Sequence, residues 1–193
     1  MKQLSQKHYN VINQFAKVIT KVIEIAHYVA CGLMFLATVF ALVAPQLLKY
    51  VIAFEGSECC GVSLSVYGFS LTASYVNQKI DTLTFVLFGI GATAIFFITA
   101  LIFANLNKLF QNSQNDTPFK VENVKILNKV AIYSLIIPII SAIICTIAKL
   151  VISPESGDMM TSMGGFITAA IVFCLSGFFA RGVQLENDVD GLV

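Results

Sequence analysis

Four intervals of this sequence contain no Asp, Glu, Lys or Arg: those between Glu24 and Lys49, Asp81 and Lys108, Lys129 and Lys149, and Asp158 and Arg181. Each is close to the ~20 residues that a helix needs to cross the ~30 Å hydrocarbon core of a bilayer. Inside hydrocarbon every backbone N–H and C=O must be paired within the protein, so an apolar run of this length crosses as a helix. The spacing predicts four transmembrane helices over Val22–Ala44, Thr82–Asn105, Val130–Ile152 and Met163–Arg181. The fold class that follows is an all-α membrane protein, a four-transmembrane-helix bundle. With 57% hydrophobic and only 12% charged residues, the composition lies far from that of a soluble domain. Residues 1–193 read as one membrane domain, with an extracytoplasmic segment at 45–81 and a cytoplasmic loop at 106–129.

The first apolar run follows a polar leader of about twenty residues and is longer than the core of a signal peptide, so it is expected to remain in the mature protein. With the amino terminus inside, the inner side carries Lys2, Lys7, Lys17, Lys21, Lys108, Lys120, Lys125, Lys129 and Arg181, and the outer side Lys49, Lys79 and Lys149. Nine basic residues against three follow the positive-inside rule and put both termini in the cytoplasm. Net charge is only +1, which gives no reason to expect direct nucleic-acid binding.

In the outer segment, Val62, Leu64 and Val66 alternate with Ser63 and Ser65, and Phe69, Leu71 and Ala73 with Ser70 and Thr72, with Tyr67-Gly68 between the two runs. Period two on either side of a break predicts a small extracytoplasmic β-hairpin. A two-stranded hairpin is marginal alone, so it should lean on the bilayer surface, on the short outer loop around "SPESGD", or on another subunit. The same segment holds adjacent Cys59 and Cys60, on the oxidising side of the membrane. Neighbouring Cα atoms lie about 3.8 Å apart, below the ~4.4 Å minimum usual for a disulfide. A strained vicinal disulfide, bonds to a second chain and free thiols all stay open, which makes the pair a candidate redox site. Cys31, Cys145 and Cys174 fall inside spans and read as small apolar packing residues.

Glu24 and His27 stand three apart, on one helix face where the first span begins, and read as either a proton-linked pair or a snorkelling interfacial pair. Pro138 interrupts the hydrogen-bond ladder of the third span. Small residues recur at spacing four, as Ala26/Ala30, Ala37/Ala41 and Gly165/Ala169, which allows close helix approach, and "GIGATA" in the second span reads as a packing glycine pattern. Nothing points to an enzyme, a cofactor or a metal: there is no phosphate loop and no H-E-x-x-H, and neither His8 nor His27 has ligands at metal spacing.

Between the second and third spans lies "NDTPFKVENVKIL", where Thr117 is expected to cap a helix and Pro118 to take its first position. Val121, Val124 and Leu127 give that helix one apolar stripe, and Lys120, Glu122, Asn123 and Lys125 are expected to face water. The preceding "QNSQND" reads as a polar linker.

"TPFKVENVKILNKVA", two further spans and the tail "FFARGVQLENDVDGLV" together resemble the bacterial membrane family catalogued as domain of unknown function 2975. Its Pro-Phe-x-x-Glu-Asn element corresponds to Pro118, Phe119, Glu122 and Asn123, and its acidic ending, less closely, to Gly182, Leu185, Glu186, Asn187 and Asp188. The final "DGLV" departs from the Thr-Ile-like finish of the family. The resemblance implies no activity; it implies a small helix-turn-helix DNA-binding protein as neighbour. The expected function is therefore a non-enzymatic membrane sensor or regulator. Its partner surface would comprise Pro118, Phe119, Glu122, Asn123, Gly182, Leu185 and Glu186, and its partners would be the lipid bilayer, that small protein and a possible further copy of the chain. The alternative is a small transporter, channel or immunity-type membrane protein. For either, engineered cysteines near Ser113 and Asp188 should be labelled from the cytoplasm and near Ser156 from outside. Labelling of position 188 from outside would overturn the topology.

Overall fold

The computed structural model describes residues 2–45, 62–67, 69–73, 75–76, 79–80, 82–115, 119–152 and 163–190. The chain is all-α, a bundle of four long helices: α1 (Lys2–Val43), α2 (Thr82–Asn115), α3 (Val121–Val151) and α4 (Met163–Asp190). Between α1 and α2 lie two small antiparallel pairs, β1 (Val62–Val66) with β2 (Phe69–Ala73), and β3 (Tyr75–Val76) with β4 (Lys79–Ile80). All four helices hold a segment long and apolar enough to cross a membrane: Asn13–Val43, Thr82–Ser113, Val121–Val151 and Gly164–Val189. The chain is a multi-pass membrane protein.

Each helix outruns its expected span at one end. The extra turns lie at the start of α1 and α3 and at the end of α2 and α4, and those of α1, α2 and α3 carry lysines. There "QNSQN" continues α2 instead of forming a linker. Its polar side chains are satisfied locally, as where Ser113 Oγ donates to Leu109 O at 2.9 Å and Asn105 Nδ2 to Leu101 O at 2.7 Å, so polarity does not stop the helix. The loop expected at 106–129 is correspondingly short, because the helical assignments leave only residues 116–120 between α2 and α3.

Contacts divide the chain into two compact units, each described by itself. The second unit comprises Tyr28–Phe97 and Ile136–Met163. In its core, Phe88, Ala92 and Ile95 of α2 pack with Ile144, Cys145 and Ala148 of α3 around Leu71 of the hairpin, which is fully buried. Leu71 pairs across the ladder with Leu64, which packs partly buried against the same cluster. The hairpin leans on the helices themselves; "SPESGD" lies outside the described residues. Cys145 helps to hold it, its Sγ 3.9 Å from Ser70 O. The turn is tight, with Tyr67 at φ 47°, the left-handed conformation that two-residue hairpin turns demand. The Tyr67 ring meets Phe96 edge-on at 6.3 Å, and partial burial raises its phenol above the usual value, so it stays neutral.

Helix α1 meets α2 in this unit through small side chains. Ala37 and Ala41 pack against Phe85 and Val86, and Cys31 Sγ lies 3.5 Å from Thr93 O. The expected Ala37/Ala41 contact is there, whereas Ala26 is exposed and the Ala26/Ala30 pair brings no second close approach at that end. Gly89, from "GIGATA", is buried, and a Cβ there would overlap the Thr38 hydroxyl, which donates to Met34 O at 2.8 Å. Pro138 is accommodated within a continuous α3. Of the cysteines expected to pack, Cys145 is buried and Cys31 half-buried, but Cys174 is exposed on α4. Helix α4 turns most of its apolar surface outward, and that thiol lies on it.

Adding one methyl group in Gly89→Ala should cost about 1–3 kcal/mol through overpacking. Thr38→Ala in the same chain should recover most of the loss, read as thermal denaturation in detergent. Equal melting of Gly89→Ala and the parent would refute the contact.

Candidate functional site at the lysine-bearing helix ends

The first unit comprises Met1–His27, Ile98–Leu135 and Gly164–Val193, and its interior differs in kind. Among its described residues the buried polar or charged side chains are Asn13, Thr20, Glu24, Thr99, Asn107, Asn123, Ser134 and Ser176, eight in all. The buried apolar ones are Ala100, Leu127, Val130, Ala131, Ala169 and Val183, only six and half of them alanine. Side chains of this size bury little area, so hydrogen bonds between helices take a larger share of the holding. Asn13 Nδ2 donates to Phe110 O at 3.4 Å, joining α1 to α2. Asn112 Nδ2 donates to Asn123 Oδ1 at 3.0 Å, joining α2 to α3. Ser176 Oγ donates to Asn128 Oδ1 at 2.8 Å, joining α3 to α4, and lies 3.4 Å from Val124 O.

The two elements of the expected partner surface meet here. Phe119 lies on Gly182, where a Cβ would overlap its ring, and its ring centroid is 5.5 Å from that of Phe179. Drawn onto α4 in this way, Phe119 is not helical; α3 starts at Val121, and Lys120 O accepts from the N–H groups of Asn123 at 3.0 Å and Val124 at 3.3 Å. The helix thus begins later than the expected cap at Thr117 and Pro118, two residues outside the described set.

The expected stripe of Val121, Val124 and Leu127 is also displaced. Val121 is exposed, Leu127 is buried, and Asn123, expected in water, is completely buried. The inward face runs Asn123, Leu127, Val130, Ser134, a spacing of four, three and four. Glu122 and Leu185 are exposed and Glu186 is half-buried. Beside Leu185, the α4 surface holds a groove of about 420 Å³ lined by Gly177, Ala180, Arg181, Gln184, Leu185 and Asp188. Of the expected set, Phe119 and Gly182 meet, Glu122 and Leu185 are exposed, and Asn123 belongs to the interior. Cys59 and Cys60 lie outside the described residues.

Glu24 is partnered by Lys21, one turn earlier, with Nζ 2.9 Å from Oε1. His27 turns Nδ1 to Ile23 O at 2.8 Å and stacks its ring on Phe103 at 5.7 Å. The buried amides and hydroxyls were the part that sequence reasoning missed. A faint signal exists in the recurrence of Asn13, Thr20, Glu24 and His27 at seven, four and three, a single helix face.

Asn123→Ala should strand the Asn112 amide and cost about 1–3 kcal/mol. The Asn112→Ala/Asn123→Ala double variant should lose clearly less than the sum of the two single losses, measured by melting in detergent. Strict additivity would mean that the pair does not interact. No protein-family profile, curated protein or solved structure matches this chain.

Proposed function

We propose that this chain is a non-enzymatic regulator of the bacterial plasma membrane that holds a small helix-turn-helix DNA-binding protein at its lysine-bearing, cytoplasmic end. The observation that carries the reading is a set of apolar side chains exposed where α4 runs past its ~20-residue span. Phe119 lies on Gly182, where ~20 residues of span counted along α4 come to their end. Counting from Gly164 along α4 ends near Val183, short of Leu185 and Val189. Yet Phe119 is 42% exposed and Leu185 and Val189 are each 61% exposed. An exposed apolar patch rimmed by charge, here Arg181 and Asp188, is the usual mark of a protein partner. The basic asymmetry supports the orientation, and the resemblance of the two flanking elements supports the kind of partner. Arg181 and Asp188 lie seven residues apart on α4, so the groove between them suits a helix carrying opposite charges at the same spacing.

The transporter, channel or immunity-type reading draws its support from Glu24 alone, a carboxylate buried within a span.

Leu185→Glu, an exposed change, should alter stability by less than about 0.5 kcal/mol. It should lower capture of the partner from native membranes at least ~10-fold, a loss of about 1.4 kcal/mol in binding. Phe119→Ala with Glu122→Ala should weaken capture likewise. Capture of a helix-turn-helix protein equally by parent and Leu185→Glu chains, or of none by the parent, would overturn the proposal.

A further inference from the structure

One atom in the first unit lacks what burial requires. Glu24 is 8% exposed; Oε1 is held by Lys21, but Oε2 is closed to solvent and has no hydrogen-bond partner. Among the described residues it is the buried side-chain oxygen or nitrogen left in that state. An ionised carboxylate oxygen in such surroundings is far more costly than a neutral one, and the simplest relief is uptake of a proton.

The surroundings favour a proton over other occupants. A hard cation gathers six or more oxygens, and there is no group of three or more His, Cys, Asp or Glu among the described residues to start such a shell. The nearest polar side chain on the same face, Thr20, already gives its hydroxyl hydrogen to Ala16 O at 2.9 Å or Lys17 O at 3.0 Å. The α1–α2 contacts Asn13 to Phe110 and His27 to Phe103 bracket Glu24, and of the α2 residues between them, 104–109, the ionisable one is Lys108, which is exposed. Elsewhere in the unit, Lys120 precedes α3, α3 adds Glu122, Lys125, Lys129 and Tyr133, and α4 adds Cys174, Arg181, Glu186, Asp188 and Asp190. On α1 itself the charged or titratable neighbours are Lys17, Lys21, His27 and Tyr28, and Lys21 makes the direct contact.

We infer that Glu24 is a reversible proton-binding site, with Lys21 as its counter-charge. On binding, a solvent proton bonds to Oε2, the carboxylate becomes a neutral carboxylic acid, and the Lys21 ammonium keeps its charge while losing its anionic partner. The side chain of Lys21 is 53% exposed, so its charge can be taken up by water or lipid headgroups. Each proton bound therefore makes this end of the helices more positive by one charge. The inference is independent of the docking surface, and the experiments do not overlap.

The test uses the full chain in native membranes with dicyclohexylcarbodiimide, an apolar reagent that converts protonated carboxyl groups to N-acylureas. Mass spectrometry should place the adduct on Glu24, with labelling that falls about tenfold for each pH unit above its midpoint. Glu24→Gln should abolish the adduct without lowering the melting temperature. Infrared difference spectra between acid and alkaline pH report the protonated acid without relying on reagent access; its carbonyl band should be present in the parent and missing in Glu24→Gln. Absence of that band, or labelling independent of pH, would each overturn the inference and leave Oε2 as the site of a bound water only.

Discussion

A helix of 31 residues rises about 46 Å, and the hydrocarbon of a bilayer takes up only about 30 Å of that. Three of the four apolar segments here are that long or one residue longer, and the fourth has 26 residues. The surplus is what gives the protein a second environment. Within hydrocarbon the helices gain little from hiding apolar side chains from one another, and contact depends on small residues such as Ala37, Ala41 and Gly89. In the surplus turns water competes for every polar group, and α2 is joined to its neighbours by amides, Asn13 to the Phe110 carbonyl and Asn112 to Asn123.

That division explains what a reader of the sequence can and cannot see. Absence of charge over some twenty residues is a strong local signal, and all four spans were legible from it. Alternation around Tyr67-Gly68 likewise gave β1 and β2 in register. The seat of that hairpin was not legible, because the residues that enclose Leu71 lie from 17 to 77 positions further along the chain, from Phe88 to Ala148. Asn123 was misread for the same reason. An asparagine amid lysines looks solvated until its partner, Asn112 of the preceding helix, is brought beside it. Of the candidate site, the two elements were legible as short motifs, while their meeting at Phe119 and Gly182 depends on the packing of α3 against α4.

The Phe119 joint ties the start of one membrane helix to the end of another by a ring lying on a glycine. Its partners are side by side at Phe179 and Gly182, one helical turn apart, so the ring covers a strip of α4 backbone that no side chain protects. The neighbouring Leu185 extends the same strip outward. A ligand that took hold of Leu185 would therefore act at the edge of a contact between α3 and α4, where a small displacement is passed from one helix to the other.

Leu71 sets an order of events during synthesis. It belongs to the first loop of the chain, yet the side chains that enclose it come from α2 and α3, which leave the ribosome later. The hairpin can pair its strands as soon as Ala73 has emerged, but it has no floor to rest on until Ala148 has been made and α3 is in the membrane. Through that interval an apolar ribbon of Leu64, Val66 and Leu71 waits without its cover. Completion of α3 is thus also the step that finishes the first loop.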